Sequence, residues 1–315
     1  MNAISESYRK VPYDLREAKQ VERRMLVDAF QRLIAAGFPI ADYQYTGMGS
    51  IYFFDFALFH KYLGIQKMLS VEISSAIKKR VEFNKPYGNV EVRIAPISKV
   101  IPELSRDRKH ILWLDYDTVI RADYARDIVS ALSSLTTGSL LLTTVDVEPP
   151  GKEDTGPKQW QEHFATEVAE YLPRGHDSTT FAKSNMVKLN TQILDNIISR
   201  GMRSRSEAEF CRIFNFVYKD GHTMLTVGGM ICTPDEKRRL SAAGLENTIY
   251  YRTSFSFDPC ELQIPRFTRK ERLHLDCVMP CADEWVPDAF EAAPEDIKRY
   301  RDVYRFLPSY AELVL

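Results

Sequence analysis

The chain has 315 residues, 44% of them hydrophobic and 27% charged, which supplies material for one large buried core and excludes a disordered or fibrous chain. Its 42 Lys and Arg against 43 Asp and Glu leave a net charge of -1, so the whole-chain field selects no particular partner. Met1 to Arg24 is polar and charged, and no apolar run reaches the roughly 20 residues of a membrane span; no signal peptide and no membrane partner are expected, and a soluble cytoplasmic setting is.

Leu15 to Ala36 places Val21, Met25, Leu26, Ala29, Phe30, Leu33 and Ile34 at helical spacing, with Arg16, Lys19, Glu22, Arg23 and Arg24 on the opposite side. Gly37 and Pro39 stop it. Ala41 to Tyr45 is a short strand, Thr46 to Ser50 a tight turn, and Phe53 to Leu63 a buried helix ending at Gly64. Lys67 to Ile73 is a second strand and Ser74 to Asn84 a helix, followed by a strand at Val90 to Ile94 and a short helix at Ser98 to Leu104. Ile111 to Leu114 is a strand running into Asp115-Tyr116-Asp117, Asp123 to Leu135 a helix, and Ser139 to Val147 a long apolar strand. Five strands alternating with helices predict an α/β fold: a Rossmann-like, mostly parallel sheet with helices on both faces.

The pattern loosens at Pro149-Pro150-Gly151. Trp160 to Tyr171 is amphipathic, and Met186 to Ile198 and Ser206 to Tyr218 read as helices. Thr223 to Cys232 and Thr248 to Phe257 read as strands joined by the charged helix Asp235 to Ala243, pairing antiparallel at one sheet edge. A final helix spans Pro294 to Phe306. The expected organisation is an N-terminal helical segment over 1–40, a Rossmann-like domain over 41–258 with a helical insertion near 149–221, and a C-terminal extension over 259–315.

The turn Thr46-Gly47-Met48-Gly49-Ser50 puts glycines at alternate positions between a strand and a helix, and Glu72 ends the next strand. Such glycines let the backbone approach a bound nucleotide, and the acid accepts hydrogen bonds from ribose hydroxyls. A dinucleotide site also needs a third glycine and room for pyrophosphate at the helix start. Ile51-Tyr52-Phe53-Phe54 is bulky there, which favours a cofactor with a sulfonium and an amino-acid tail.

From Tyr43 to Val147 the chain resembles the class I S-adenosylmethionine-dependent methyltransferases, and the run from the Leu15 helix through Asp117 looks like a group of bacterial O-methyltransferases without a defined substrate. The resemblance implies S-adenosylmethionine bound by Thr46, Gly47, Met48, Gly49 and Ser50 in the first motif, and by Glu72 and Ile73 at the ribose. It implies Ile97 and Ser98, within Arg93 to Ser98, flanking the adenine, and Asp115 facing the substrate. Tyr45 stands where the family places the acid that contacts the methionine amine, leaving Asp55 or Asp115 to replace it, and the adenine-contacting acid is missing around Pro96.

Asp115 and Asp117 are the expected catalytic pair. Neighbouring carboxylates raise one another's pKa, so one of them suits a general base for an acceptor hydroxyl. Alternatively the pair holds Mg²⁺, or Asp115 merely caps a turn while Asp117 is solvated. The run Ile111 to Val119 also resembles the nucleophile motif of haloacid-dehalogenase phosphatases, although the expected glycine is absent and the strand is not the first of its domain. No Asn/Asp-Pro-Pro-Tyr motif follows the strand, which argues against base N-methylation.

Arg200, Arg203 and Arg205, then Lys237 to Arg239, then Arg266, Arg269, Lys270 and Arg272 form basic clusters, the last among aromatics, so nucleic acid stays open as a partner beside solvated helix faces. Arg16, Lys19, Glu22 and Arg23 read either as a lid over the cofactor or as surface. His60 reads as a core residue, His110 as surface, and His163 and His176 fall in the insertion. Cys211, Cys232, Cys260, Cys277 and Cys281 form an odd set without a CxxC pair, which fits reduced thiols better than disulfides; Cys277, Cys281 and His274 fall short of a structural zinc set. The leading expectation is a methyltransferase, with a silent cofactor- or partner-binding descendant and a nucleic-acid methyltransferase as alternatives.

Overall fold

The computed structural model describes residues 16–148, 157–255 and 258–308. The break at Pro149-Pro150-Gly151, the end of the expected strand at Phe257, and the polar stretch ahead of Arg16 lie outside them. The elements of the first half are α1 (Glu17–Ala35), β1 (Gln44–Met48), α2 (Phe54–Leu63), β2 (Lys67–Glu72), α3 (Lys78–Phe83), β3 (Val90–Ile94), α4 (Ile97–Val100), β4 (His110–Val119), α5 (Ala122–Ser134) and β5 (Leu140–Asp146). The second half adds α6 (Pro157–Glu167), α7 (Met186–Gly201), β6 (Glu209–Asp220), β7 (His222–Cys232), α8 (Pro234–Ser241), β8 (Cys260–Leu262), α9 (Arg269–Val278) and α10 (Pro294–Val303).

Among the described residues one sheet of eight strands runs in the order β3-β2-β1-β4-β5-β7-β6-β8. β1 to β5 pair in parallel, and β7 runs antiparallel to both β5 and β6. The antiparallel strand is therefore internal, and the edge is β8, parallel to β6. Among the described residues no helix is long and apolar enough to cross a membrane.

Two cores cover the sheet. On one face α1 and α2 bury Val21, Met25, Phe30, Leu33 and Phe59 against Tyr45 and Trp113. On the other, α5 and α7 bury Ile128, Leu132, Ile193 and Ile197 against Leu112 and Leu114. The period-2 alternation along β4 sends Trp113 to the first face and its neighbours to the second. A small third cluster joins Leu275 of α9 to Ile297 and Tyr300 of α10.

Three expectations are corrected. The stretch Ser206 to Tyr218 is mostly strand β6, not helix, and it lies within the span expected as an insertion. A register shift between Arg212 and Phe214 inserts a residue into the ladder, so Phe214, Phe216 and Tyr218 all turn toward the α1 face. The described residues from Thr248 to Phe255 form no named strand; Tyr251 makes one isolated bridge with Phe214, and the edge position passes to β8 in the expected C-terminal extension. Asp115 and Asp117 lie inside β4 rather than after it, because pairing with β5 resumes at Val119 after an irregularity.

Candidate active site

In this strand order the chain leaves β1 for β2 and β3 on one side, then crosses back to lay β4 on the other. The order reverses between β1 and β4, and the carboxyl ends of the strands at such switch points are where α/β sheets bind ligands. Gly47 of β1 pairs with Trp113 of β4, which brings the glycine turn beside Asp115.

The glycines are required there for a reason internal to the protein. A Cβ on Gly47 would lie 2.5 Å from the Tyr45 hydroxyl, and one on Gly49 would lie 2.8 Å from the Val71 carbonyl and 2.9 Å from the Glu72 Cβ. The Gly49 amide donates to that Val71 carbonyl, drawing the turn onto the end of β2 and setting it against Glu72. The turn closes at Phe53, a left-handed residue with φ 51°, whose ring packs edge-on to Phe56 at 5.4 Å. A non-glycine residue holds that conformation only where its surroundings impose it.

Tyr45 occupies the place of the expected acid, and its hydroxyl donates to Asp55 of α2. Burial raises the Asp55 carboxyl above its ordinary range, although Arg23 and the Tyr45 hydroxyl pull it down. Tyr45 thus presents an acid from the next element.

The polar side of α1 is turned inward. Lys19 and Glu22 are fully buried. The Lys19 ammonium lies 2.9 Å from Asp115 Oδ1, 3.0 Å from Glu22 Oε2 and 4.3 Å from the Trp113 ring centre. Burial alone would lower the Lys19 pKa, but Asp115 and Glu22 reverse this and hold it above the ordinary lysine value. Glu22 is pushed up by burial, with Lys19 opposing. Asp115 is desolvated too, yet Lys19 outweighs that and holds its carboxyl below the usual range. The mutual raising expected of Asp115 and Asp117 is therefore corrected: Asp115 answers to Lys19, and Asp117 is exposed. Behind them Trp113 Nε1 donates to Thr144 Oγ1 (2.9 Å), which meets Thr226 Oγ1 at 2.8 Å.

Of the other expected residues, Thr46 is buried, Met48 is half-buried, and Ser50 Oγ accepts from the Tyr52 amide at 3.0 Å. Glu72 is half-exposed and fixed by the Ser74 amide at 2.9 Å, and burial raises its pKa. Ile73 is exposed beside it, whereas Ile97 is buried and Ser98 exposed at the start of α4.

A pair missed from the sequence lies further along the same edge. His222, after the Gly221 turn between β6 and β7, places Nδ1 2.9 Å from Asp146 Oδ2 at the end of β5. The imidazole is largely exposed and the carboxylate nearly buried. An imidazole oriented by a carboxylate at Nδ1 can accept a proton at Nε2. The two residues are 76 positions apart, and only the antiparallel β5–β7 pairing joins them.

A family model described as "Putative O-methyltransferase" matches residues 11–315. The chain belongs to this O-methyltransferase family. Its match spans every element above and sets aside the haloacid-dehalogenase reading. No curated protein sequence matches the chain. Among solved structures it is similar to Trm1 from Pyrococcus horikoshii in complex with S-adenosylmethionine, with 12% identity over 71% of this chain and 57% of that one and a TM-score of 0.44. It spans little more than half the length of that Trm1 chain. It is also similar to the O-methyltransferase TomG from Streptomyces achromogenes, at 12% identity over 65% of this chain and 79% of that one, with a TM-score of 0.37.

Elsewhere, His60 is satisfied by the Ile65 carbonyl at 2.9 Å. His110, expected at the surface, is buried and bonded to the Ser105 carbonyl at 2.8 Å, because β4 begins one residue earlier than its apolar run. His163 meets the Ile120 carbonyl at 3.1 Å, just beyond β4, and His176 stays exposed. Among the described residues no three His, Cys, Asp or Glu side chains form a group able to hold a metal.

Proposed function

We propose that the protein binds S-adenosylmethionine at the carboxyl edge of β1, β2 and β4 and transfers its methyl group to an acceptor oxygen. The observation that carries this is the charge of the switch point: Asp55, Asp115 and Glu72 border the glycine turn, where a pyrophosphate would be repelled and an ammonium finds partners. Bulky Tyr52 and Phe54, stacked at 5.8 Å, stand at the start of α2, where a dinucleotide site keeps room for pyrophosphate.

Bound there, the cofactor supplies a methyl group on a cationic sulfur. Glu72, held by the Ser74 amide, would accept hydrogen bonds from the ribose hydroxyls, and exposed Ile73 would offer an apolar wall to the adenine. Asp115 takes the ammonium: Oδ1 is on Lys19, the side chain is 35% exposed, and its charge is secured by Lys19. That commitment also makes Asp115 a poor general base, because Lys19 favours its charged form. All five cysteines are unpaired, which supports a reducing, cytoplasmic setting.

Calorimetric titration with S-adenosylhomocysteine tests the reading. Wild type should bind, and Glu72→Ala should weaken binding about tenfold or more through loss of charge-assisted hydrogen bonds. Absence of heat with folded wild type would sink it.

A further inference from the structure

Arg23 enters the same site from α1, one helical turn beyond Lys19. It is 6% exposed, and its guanidinium carbon lies 5.6 Å from the Phe54 ring centre at the start of α2. Its Nε and Nη1 are buried without a hydrogen-bond partner among the described residues. A guanidinium carries five donors in a fixed fork, and leaving such donors unmet in the interior is costly. The rest of the local charge is arranged: Lys19 is matched to Asp115 and Glu22, and Asp55 to the Tyr45 hydroxyl. Asp55 and Asp115 both feel the Arg23 charge, yet neither forms an ion pair with it among the described residues.

Among the described residues the site therefore offers carboxylates and a buried cation with unmet donors within the reach of a single turn. That is the complement of an α-amino acid, with its ammonium and carboxylate on one carbon. We propose that Arg23 binds the α-carboxylate of the cofactor's amino-acid end while Asp115 takes the ammonium. The proposal rests on the S-adenosylmethionine reading above and deepens it at the end of the cofactor where Tyr45 replaces the customary acid. The planar fork of Arg matches a carboxylate with two parallel hydrogen bonds, which a lysine cannot reproduce.

The test is a cycle between the protein and the ligand. Wild type and Arg23→Met are titrated with S-adenosylhomocysteine and with its decarboxylated analogue, 5′-(3-aminopropyl)thioadenosine, which keeps the ammonium and lacks the carboxylate. Wild type should prefer S-adenosylhomocysteine by about 10- to 100-fold, the scale of a charge-assisted bidentate pair, and Arg23→Met should lose that preference while binding the analogue as wild type does. No preference in wild type, or a preference retained in Arg23→Met, overturns the proposal and leaves the cofactor reading standing. The second outcome is what an arginine meant for an anionic acceptor would give. Failure of wild type to bind either ligand overturns the cofactor reading, and the proposal with it. Thermal unfolding of the ligand-free variant guards against a purely structural role: Arg23→Met should melt at or above the wild-type temperature, and a lower melting point with equal loss of both ligands counts against the proposal.

Discussion

Lys19 stands between two carboxylates of opposite tendency, Asp115 held down and Glu22 pushed up. Replacing it by methionine leaves Glu22 buried without a counter-charge and removes the charge that secures Asp115. Breaking a buried pair in this way costs about 3 kcal/mol, the low end of the usual range because Asp115 is 35% exposed and partly screened. The cost depends on pH. Asp115 is depressed when folded, so its contribution is present above the ordinary carboxylate range and is lost as pH falls through its folded value. Lys19 is raised when folded, so its contribution is complete below the ordinary lysine value and is lost only in strong alkali. Urea unfolding of Lys19→Met against wild type should thus show the full deficit at neutral pH and a smaller one once the pH falls below the ordinary carboxylate range and Asp115 takes up its proton. A deficit independent of pH would mean that Lys19 acts by packing alone. Lys19, Glu22 and Arg23 lie opposite the apolar stripe of α1, and amphipathic spacing alone leaves a lid over the cofactor and a solvated surface equally open. Their partner Asp115 is 96 positions from Lys19. The glycine turn and Glu72 were legible because they are local to one βαβ unit, whereas the Tyr45 hydroxyl reaching Asp55 depended on the left-handed turn at Phe53.

At the scale of elements, α1 is held at the site by the β6–β7 hairpin. Arg16, at its N-cap, makes no side-chain cap, and the first-turn amides of Ala18 and Lys19 instead donate to Asp220 at 3.3 and 2.9 Å. The carboxylate also faces the positive end of the helix dipole. Removing it by Asp220→Ala should cost about 1 kcal/mol, the usual value of a helix cap. Hydrogen exchange at Ala18 and Lys19 should accelerate, and S-adenosylhomocysteine binding should weaken because Lys19 and Arg23 ride on that helix. Unchanged exchange at those two amides would show that packing, not Asp220, fixes the start of α1. Strands β1 to β5 were legible from their apolar runs and regular spacing. β6 was not, because an inserted residue at the Arg212–Phe214 shift breaks its alternation, and the resulting cluster of apolar positions imitates a helical face. β8 has three residues, Cys260–Leu262, too few for any periodicity to register. Its place at the edge is set by pairing with Phe216 to Tyr218.

Across the whole molecule, several residues of the basic clusters are answered from within. Arg200 pairs with Glu170, Lys237 with Glu209, Arg238 with Asp235, and Arg272 with Glu17. Arg205 donates to the carbonyls of Leu132 and Leu135 at the end of α5, and Arg239 lies over the Phe38 ring. Paired charges of this kind produce local dipoles in place of a continuous positive surface, and the net charge of -1 adds no long-range attraction. Binding to a nucleic-acid backbone needs several cations that exchange counter-ions for phosphates, which makes its affinity fall steeply with salt. We propose that the acceptor is not a polyanion, because the acidic rim of the glycine turn would repel phosphates near it. Fluorescence anisotropy with labelled single-stranded RNA and duplex DNA in about 150 mM salt should accordingly show dissociation constants no tighter than the roughly 10⁻⁴ M of weak non-specific contact. A micromolar complex that weakens a hundredfold or more between about 50 and 200 mM salt would instead mean that these ion pairs open to receive phosphates, and would overturn this proposal in favour of nucleic acid.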